Sequence, residues 1–375
     1  MDSPPNVLPP YNEQIFRQLK QLKIKAQHSD HRFLVVISGD EQWVFNTLAY
    51  QLKFLSKCHT LVVTNRSLDV TGDHCASNKL NHHLGSEIEQ IVWDGFSGIN
   101  PDGLGAASGL LLRGGLFFLL LPSLNKLTQK PDLDYLRMCA EEDELKSCGT
   151  RFLKRLTRLL TSDPDVYLIQ QNAAITHLPE ENFSPTELSQ AFTPKPAITL
   201  PTQDQIQTIK AIKSVAKGHR KRPLVIYADR GRGKSSALGL AAAEIVNEYA
   251  LNVLITAPSR KACDAAFKHA ETIRPEFLAL KFIAPDELVS ALPSCHLLLV
   301  DEAAAIPSTL LKQMLCHYPR IVFASTIHGY EGNGQGFAVR FRQELDSQTP
   351  QWKSLYLNQA IRWAENDPLE RWTSD

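Results

Sequence analysis

Apolar residues return along this chain in two rhythms. Short unbroken runs alternate with longer stretches in which they recur every three or four positions. The runs in the first half are RFLVVI (32–37), LVVT (61–64), IVW (91–93), LFFLLL (116–121) and VYLIQ (166–170). Those in the second half are PLVIYA (223–228), NVLITA (252–257), LKFI (280–283), HLLLVD (296–301) and RIVFAST (320–326). Runs this short, bounded by turn residues, predict strands buried on both faces, and the intervening periodicity predicts helices. A helix follows Ser38-Gly39-Asp40 to about Leu55, and another is capped by Asn100, opens on Pro101 and ends at Gly114-Gly115. RFLKRLTRLL (151–160) is amphipathic, with Arg151, Lys154, Arg155 and Arg158 on its wet side. Alternating β and α in both halves predicts an α/β protein of two parallel doubly wound units.

The Pro/Ser/Thr-rich stretch at 179–200 predicts a linker between a unit at 1–178 and a second at 201–352, with 353–375 leading onward. No repeat at a fixed period is present.

Composition narrows the picture by exclusion. Forty basic residues balance forty acidic ones, so no global field draws the chain to nucleic acid, and any such contact is local. The candidate faces are the wet side of 151–158 and the cluster Lys217, Arg220, Lys221 and Arg222. The seven cysteines contain no C-x-x-C, which predicts idle thiols rather than a zinc or redox motif. The opening MDSPPNVLPPYNEQ lacks the basic-then-apolar order of a signal peptide, and LLLRGGLFFLLLP is too short and interrupted to span a bilayer. The chain is expected to be soluble, cytoplasmic and free of membrane partners.

The chemistry concentrates in YADRGRGKSSALGLAAAE, Tyr227 to Glu244. A phosphate loop presents successive backbone N–H groups to an anion at a helix N-terminus, with a lysine for the β- and γ-phosphates and a hydroxyl for Mg²⁺. Gly231, Gly233, Lys234 and Ser235 fit that pattern, while Ala228 stands where its first glycine belongs. Arg230 and Arg232 add positive charge. HLLLVDEAAAIP ends a strand on Asp301-Glu302, which predicts Asp301 in the Mg²⁺ shell and Glu302 polarising the attacking water. Together they predict a RecA-like P-loop NTPase sheet. Gln203 and Gln205 precede it, and a glutamine amide there can pair with adenine, which favours ATP. Ser325-Thr326 ends a later strand, and Arg340 and Arg342 are the arginines available to a γ-phosphate in cis.

Four segments then carry a resemblance: ADRGRGKSSALGLA, LLLVDEAAAIP, STIHGYEGNGQGFAVRF and IRWAENDPLERW are similar to the tRNA(Met) cytidine acetyltransferase family. RFLVVISGDEQW and IVWDGFSGINPDGLGAASGLLLRGGLFFLLLP resemble its N-terminal domain. Gln335 departs from the family's more frequent arginine. The resemblance implies an ATP-driven helicase module beside an acetyl-CoA-dependent transferase domain that makes N4-acetylcytidine at the wobble position of elongator tRNA(Met). By position it implies ATP contacts at Gln203, at Val225, Ile226, Tyr227, Ala228, Asp229, Arg230, Gly231, Arg232, Gly233 and Lys234, and at Arg342. No [RQ]-x-x-G-x-[GA] loop for an acetyl-CoA pyrophosphate occurs in the sequence. The expectation is therefore the ATPase half of such an enzyme, unable to transfer acetyl groups without a further domain in cis or on a separate polypeptide. The alternatives are a stand-alone RNA-stimulated ATPase or an inert RNA-binding fragment.

Overall fold

The computed structural model describes residues 10–55, 58–83, 86, 88–173, 201–229, 231–273, 280–326 and 333–374. The expected linker lies outside these. The chain divides into two compact units, Met1–Pro196 with Trp363–Asp375, and Ala197–Arg362.

The first unit runs α1 (Pro10–Ser29), β1 (Phe33–Gly39), α2 (Glu41–Gln51), β2 (Thr60–Val63), β3 (Asp73–Cys75) and β4 (Ile88–Asp94). It continues through α3 (Pro101–Ser108), β5 (Leu111–Pro122), a single turn α4 (Leu124–Leu127), α5 (Arg151–Ser162) and β6 (Tyr167–Gln170). Its sheet has the order β3-β2-β4-β5-β1-β6, and every pairing is parallel. Ile15, Leu19 and Leu22 of α1 and Val44 and Leu48 of α2 bury against Val35, Ile37, Val62, Val92, Phe118 and Leu120 on one face. Burial on this scale supplies the driving force, at about 25 cal/mol per Å² of apolar surface.

The glycine pair at 114–115 does not end a helix. α3 stops at Ser108, and β5 already begins at Leu111. Pairing with β4 jumps from Ile88↔Leu111 to Gln90↔Leu116, so the pair sits in a bulge. There Gly114 has φ of +72° and its carbonyl accepts the buried Lys23 ammonium at 2.6 Å.

The second unit runs α6 (Gln203–Lys217), β7 (Leu224–Ala228), α7 (Lys234–Tyr249), β8 (Val253–Thr256), α8 (Asp264–Ile273), β9 (Leu280–Phe282), α9 (Pro285–Ala291) and β10 (Leu297–Val300). α10 (Ser308–His317), β11 (Ile321–Thr326), α11 (Asn333–Gln348) and β12 (Lys353–Leu357) complete it. This sheet too is parallel throughout, in the order β12-β7-β11-β10-β8-β9. The alternation of β7 shows why the run PLVIYA is apolar on both faces. Ile226 and Ala228 pack with Ala237 and Ala241 of α7, while Val225 and Tyr227 pack with Leu311 of α10 and Phe341 of α11.

Of residues 353–375, expected as a connection leading onward, the described residues 353–374 are folded into the two units. β12 pairs with β7 and forms the edge of the second sheet. Trp363 and α12 (Pro368–Ser374) belong to the first unit, where Arg32 is sealed. The Arg32 guanidinium bonds Asp367 at 2.9 and 3.2 Å, donates to the Ser108 carbonyl at 2.6 Å and stacks 3.3 Å from the Trp363 ring. Among the described residues no helix is long and apolar enough to cross a membrane.

Candidate functional site

The carboxyl ends of β7, β10 and β11 meet at one edge of the second sheet, and each delivers a polar side chain there. Adjacent parallel strands place their ends side by side, so residues far apart in sequence converge. β7 leads into the loop 229–233 and then α7, whose first residue is Lys234. Gly231 and Gly233 have φ of +75° and +79°, the left-handed region a glycine enters without a Cβ penalty. A Cβ on Gly233 would also strike Gln205 Nε2 and come within 2.8 Å of Ile361 Cδ1. Ala228 is the last residue of β7 and is not among the positive-φ residues, so alanine meets no backbone demand for glycine there.

Lys234 is 6% exposed and donates to Thr326 Oγ1 at 2.8 Å and to Glu302 Oε1 at 3.1 Å. Thr326 donates in turn to Glu302 Oε2 at 3.1 Å, which closes a three-membered ring of contacts. The loop lysine is thus held on the Glu302 carboxylate. Glu302 holds its position with a left-handed backbone, φ 47° and ψ 47°. A non-glycine residue pays roughly 1–2 kcal/mol for that conformation, and such strain concentrates at functional sites.

Asp301 is fully buried. Its Oδ1 accepts the Glu302 N–H at 2.9 Å. Burial, then the neighbouring Glu302 charge, pushes its carboxyl up to about 6, against the pull of Lys234 and of the Ser235 hydroxyl. Ser235 is close enough to favour the charged form, yet Oδ2 has no partner at hydrogen-bond geometry among the described residues. A buried, unsatisfied carboxylate oxygen beside a hydroxyl fits a small hard cation that takes its other ligands from phosphates and water. No group of three or more His, Cys, Asp or Glu residues able to hold a metal occurs among the described residues.

The other expected residues distribute unequally. Gln203 is exposed on the first turn of α6, whereas Gln205 is buried. Gln205 completes a capping box with Thr202 and donates through Nε2 to the Gly233 carbonyl at 3.2 Å, so its amide is committed to the loop. Arg342 lies on α11, 3.8 Å from Asp346, and acts electrostatically on Tyr227. It is not in the Lys234–Glu302–Thr326 ring. Asp229 and Arg232 lie in the loop, half-buried. Arg230 and the side chains of Gln335 and Arg340 fall outside the described residues. One anchor carries no sequence signal at all. The Ile361 N–H donates to the Gly231 carbonyl at 2.9 Å, tying the segment after β12 to the loop before α7.

Comparison with known proteins agrees with this architecture. A family described as RNA cytidine acetyltransferase NAT10/TcmA, helicase domain, matches residues 225–375. A second, tRNA(Met) cytidine acetyltransferase TmcA, N-terminal, matches residues 6–171. The chain belongs to the tRNA(Met) cytidine acetyltransferase family. Relatives of that name from Nitrosococcus halophilus and Vibrio cholerae are each 35% identical, covering 98% and 94% of this chain. One from Thermofilum pendens is 27% identical over 96% of the chain. The chain spans about half the length of these relatives, 50%, 46% and 52% respectively. Among solved structures, the SWI2/SNF2 ATPase core of Sulfolobus solfataricus aligns over 48% of each chain at 15% identity and a TM-score of 0.30.

Proposed function

We propose that the second unit binds and hydrolyses ATP, as the helicase-like module of an enzyme that forms N4-acetylcytidine on tRNA(Met) from acetyl-CoA and ATP. The observation that carries the ATPase reading is the ring of Lys234, Thr326 and Glu302 around the end of a glycine-bearing loop. Arriving phosphates outbid Glu302 for the lysine, because they bring more negative charge and the helix N-terminus favours it. That exchange releases Glu302 to accept a proton from the attacking water, with Thr326 still on its second oxygen. Ser235 and Asp301 would hold Mg²⁺, which would supply positive charge against the charge that develops in phosphoryl transfer. The tRNA and acetyl-CoA parts of the reading rest on family membership. The described residues carry the ATP part of this reading, and the acetyl-transfer part is assigned to the family's transferase domain.

The test is a pair of variants. Glu302→Gln should retain ATP binding while turnover falls by about 10²-fold or more, the usual contribution of a positioned base. Lys234→Ala should lose both. Turnover by Glu302→Gln at the wild-type rate would remove the assignment.

A further inference from the structure

We infer that the exposed face of α5 in the first unit is a binding rail for the phosphodiester backbone of RNA. α5 buries Leu153, Leu156 and Leu160 and exposes Arg151, Lys154, Arg155 and Arg158. Positions i, i+3, i+4 and i+7 form a single stripe, which at 1.5 Å per residue extends about 10 Å along the helix axis. No acidic residue occurs in its twelve positions.

A neutral total conceals this excess because several other cations of the unit are paired with carboxylates. Arg66 pairs with Glu41 and Asp94, Lys126 with Asp40, Arg137 with Asp134, and Lys146 with Asp143. Even Asp163 and Asp165, which directly follow α5, are taken by Arg371 at 3.0 and 2.5 Å. Among the described residues, no ion pair engages Arg151, Lys154 or Arg158.

The start of the helix supplies a second, independent observation. α1, α2 and α3 each place an acidic residue in the first turn: Glu13, Glu41 and Asp102. α5 has none there, its N-cap Thr150 makes no side-chain cap bond, and its first residue is Arg151. Cations at this end oppose the helix dipole and lower the helix's own stability. A local rule broken without an internal gain is the signature of a functional surface. The same arrangement adds side-chain charge to the positive helix terminus, which suits an anion. Exposed cations spaced along one stripe suit a repeating phosphate backbone rather than a single phosphate. That the polyanion is RNA rests on the tRNA reading above.

The experiment compares tRNA binding by the full chain and by Arg151→Gln/Lys154→Gln/Arg158→Gln across a salt series. Wild type should bind with a salt-dependent affinity. The triple variant should bind about 10-fold or more weaker, with its log–log salt slope reduced by about 2 to 3. Its melting temperature should stay level, since all three side chains are exposed and Arg151 leaves a helix end that disfavours cations, so a binding loss is not a folding loss. Unchanged affinity and slope would overturn the rail and leave the tRNA reading standing. Failure of the wild type to bind any tRNA would overturn both. An equal loss from Lys217→Gln/Arg220→Gln/Arg222→Gln would show a general charge effect and defeat the assignment. Binding to anionic vesicles that follows the α5 residues while tRNA binding does not would reassign the surface to lipid and defeat it too.

Discussion

The two sheets share one architecture, six parallel strands each, and differ at their carboxyl edges. In the first sheet that edge is closed upon itself. Ser38 donates to the Pro122 carbonyl at 2.9 Å, the Asp40 N–H is taken by Gln171 Oε1, and Asp94 is sealed beneath Thr64 and Arg66. A Cβ on Gly39 would come within 2.8 Å of both Gln171 and Trp43, so among the described residues this turn is closely packed. In the second sheet the corresponding loop carries Lys234 and Ser235, and Asp301 keeps an unsatisfied oxygen. Parallel strands offer a crevice, and the residues of the loops decide whether it binds anything.

The largest expected effect falls in the first unit and breaks the comparison from its structural side. Asp367 accepts from the Arg32 backbone at 2.7 Å as well as from its guanidinium, and removing it strands a buried cation. Asp367→Ala should cost about 3–5 kcal/mol, read as a lowered denaturation midpoint. Nucleotide affinity under native conditions should hold. A loss below 1 kcal/mol would mean that the pair is replaceable.

Next comes Thr326→Val, which keeps the shape of β11 and deletes the hydroxyl linking lysine to carboxylate. Turnover should fall about 10-fold, equal to about 1.4 kcal/mol of activation free energy, with a smaller change in ATP affinity. The readout is steady-state hydrolysis, and an unchanged rate would show the ring to be incidental.

Asp301→Asn probes the cost of the site through the pH dependence of stability. Its folded carboxyl titrates near 6, above the ordinary value of 3.8, so the folded state binds the proton more tightly than the unfolded one. Wild-type stability therefore declines as pH rises from about 4 through about 6. The asparagine variant should melt higher at pH 7.5, with the gap closing as pH falls through that window. A lower melting temperature at every pH would contradict an uncompensated charge at that position.

Most of the fold was legible from its apolar runs. All ten fall on strands, because a strand buried on both faces has few other compositions. What escaped were elements at the margins. β3 is three residues with two exposed, and β12 buries only Leu357 fully, so neither reads as a core run. α1 was accessible from the spacing of Ile15, Leu19, Leu22 and Ala26, although polar residues dilute it. The site was legible where a loop motif imposes a residue type, as at Gly233, Lys234 and Asp301-Glu302. It was not legible where three-dimensional contact decides between equals. Gln203 and Gln205 differ by two positions, and only the turn of α6 sends Gln205 inward to Gly233. No pattern announces a backbone contact such as Ile361 to Gly231.

The contrast between the two edges is tested most directly by the stoichiometry of nucleotide binding. Calorimetric titration of the wild-type chain with Mg·ATP should give one site per chain, and Lys234→Ala should leave none. A second site, or a full site surviving in Lys234→Ala, would place ATP somewhere other than the Lys234 loop and contradict the account.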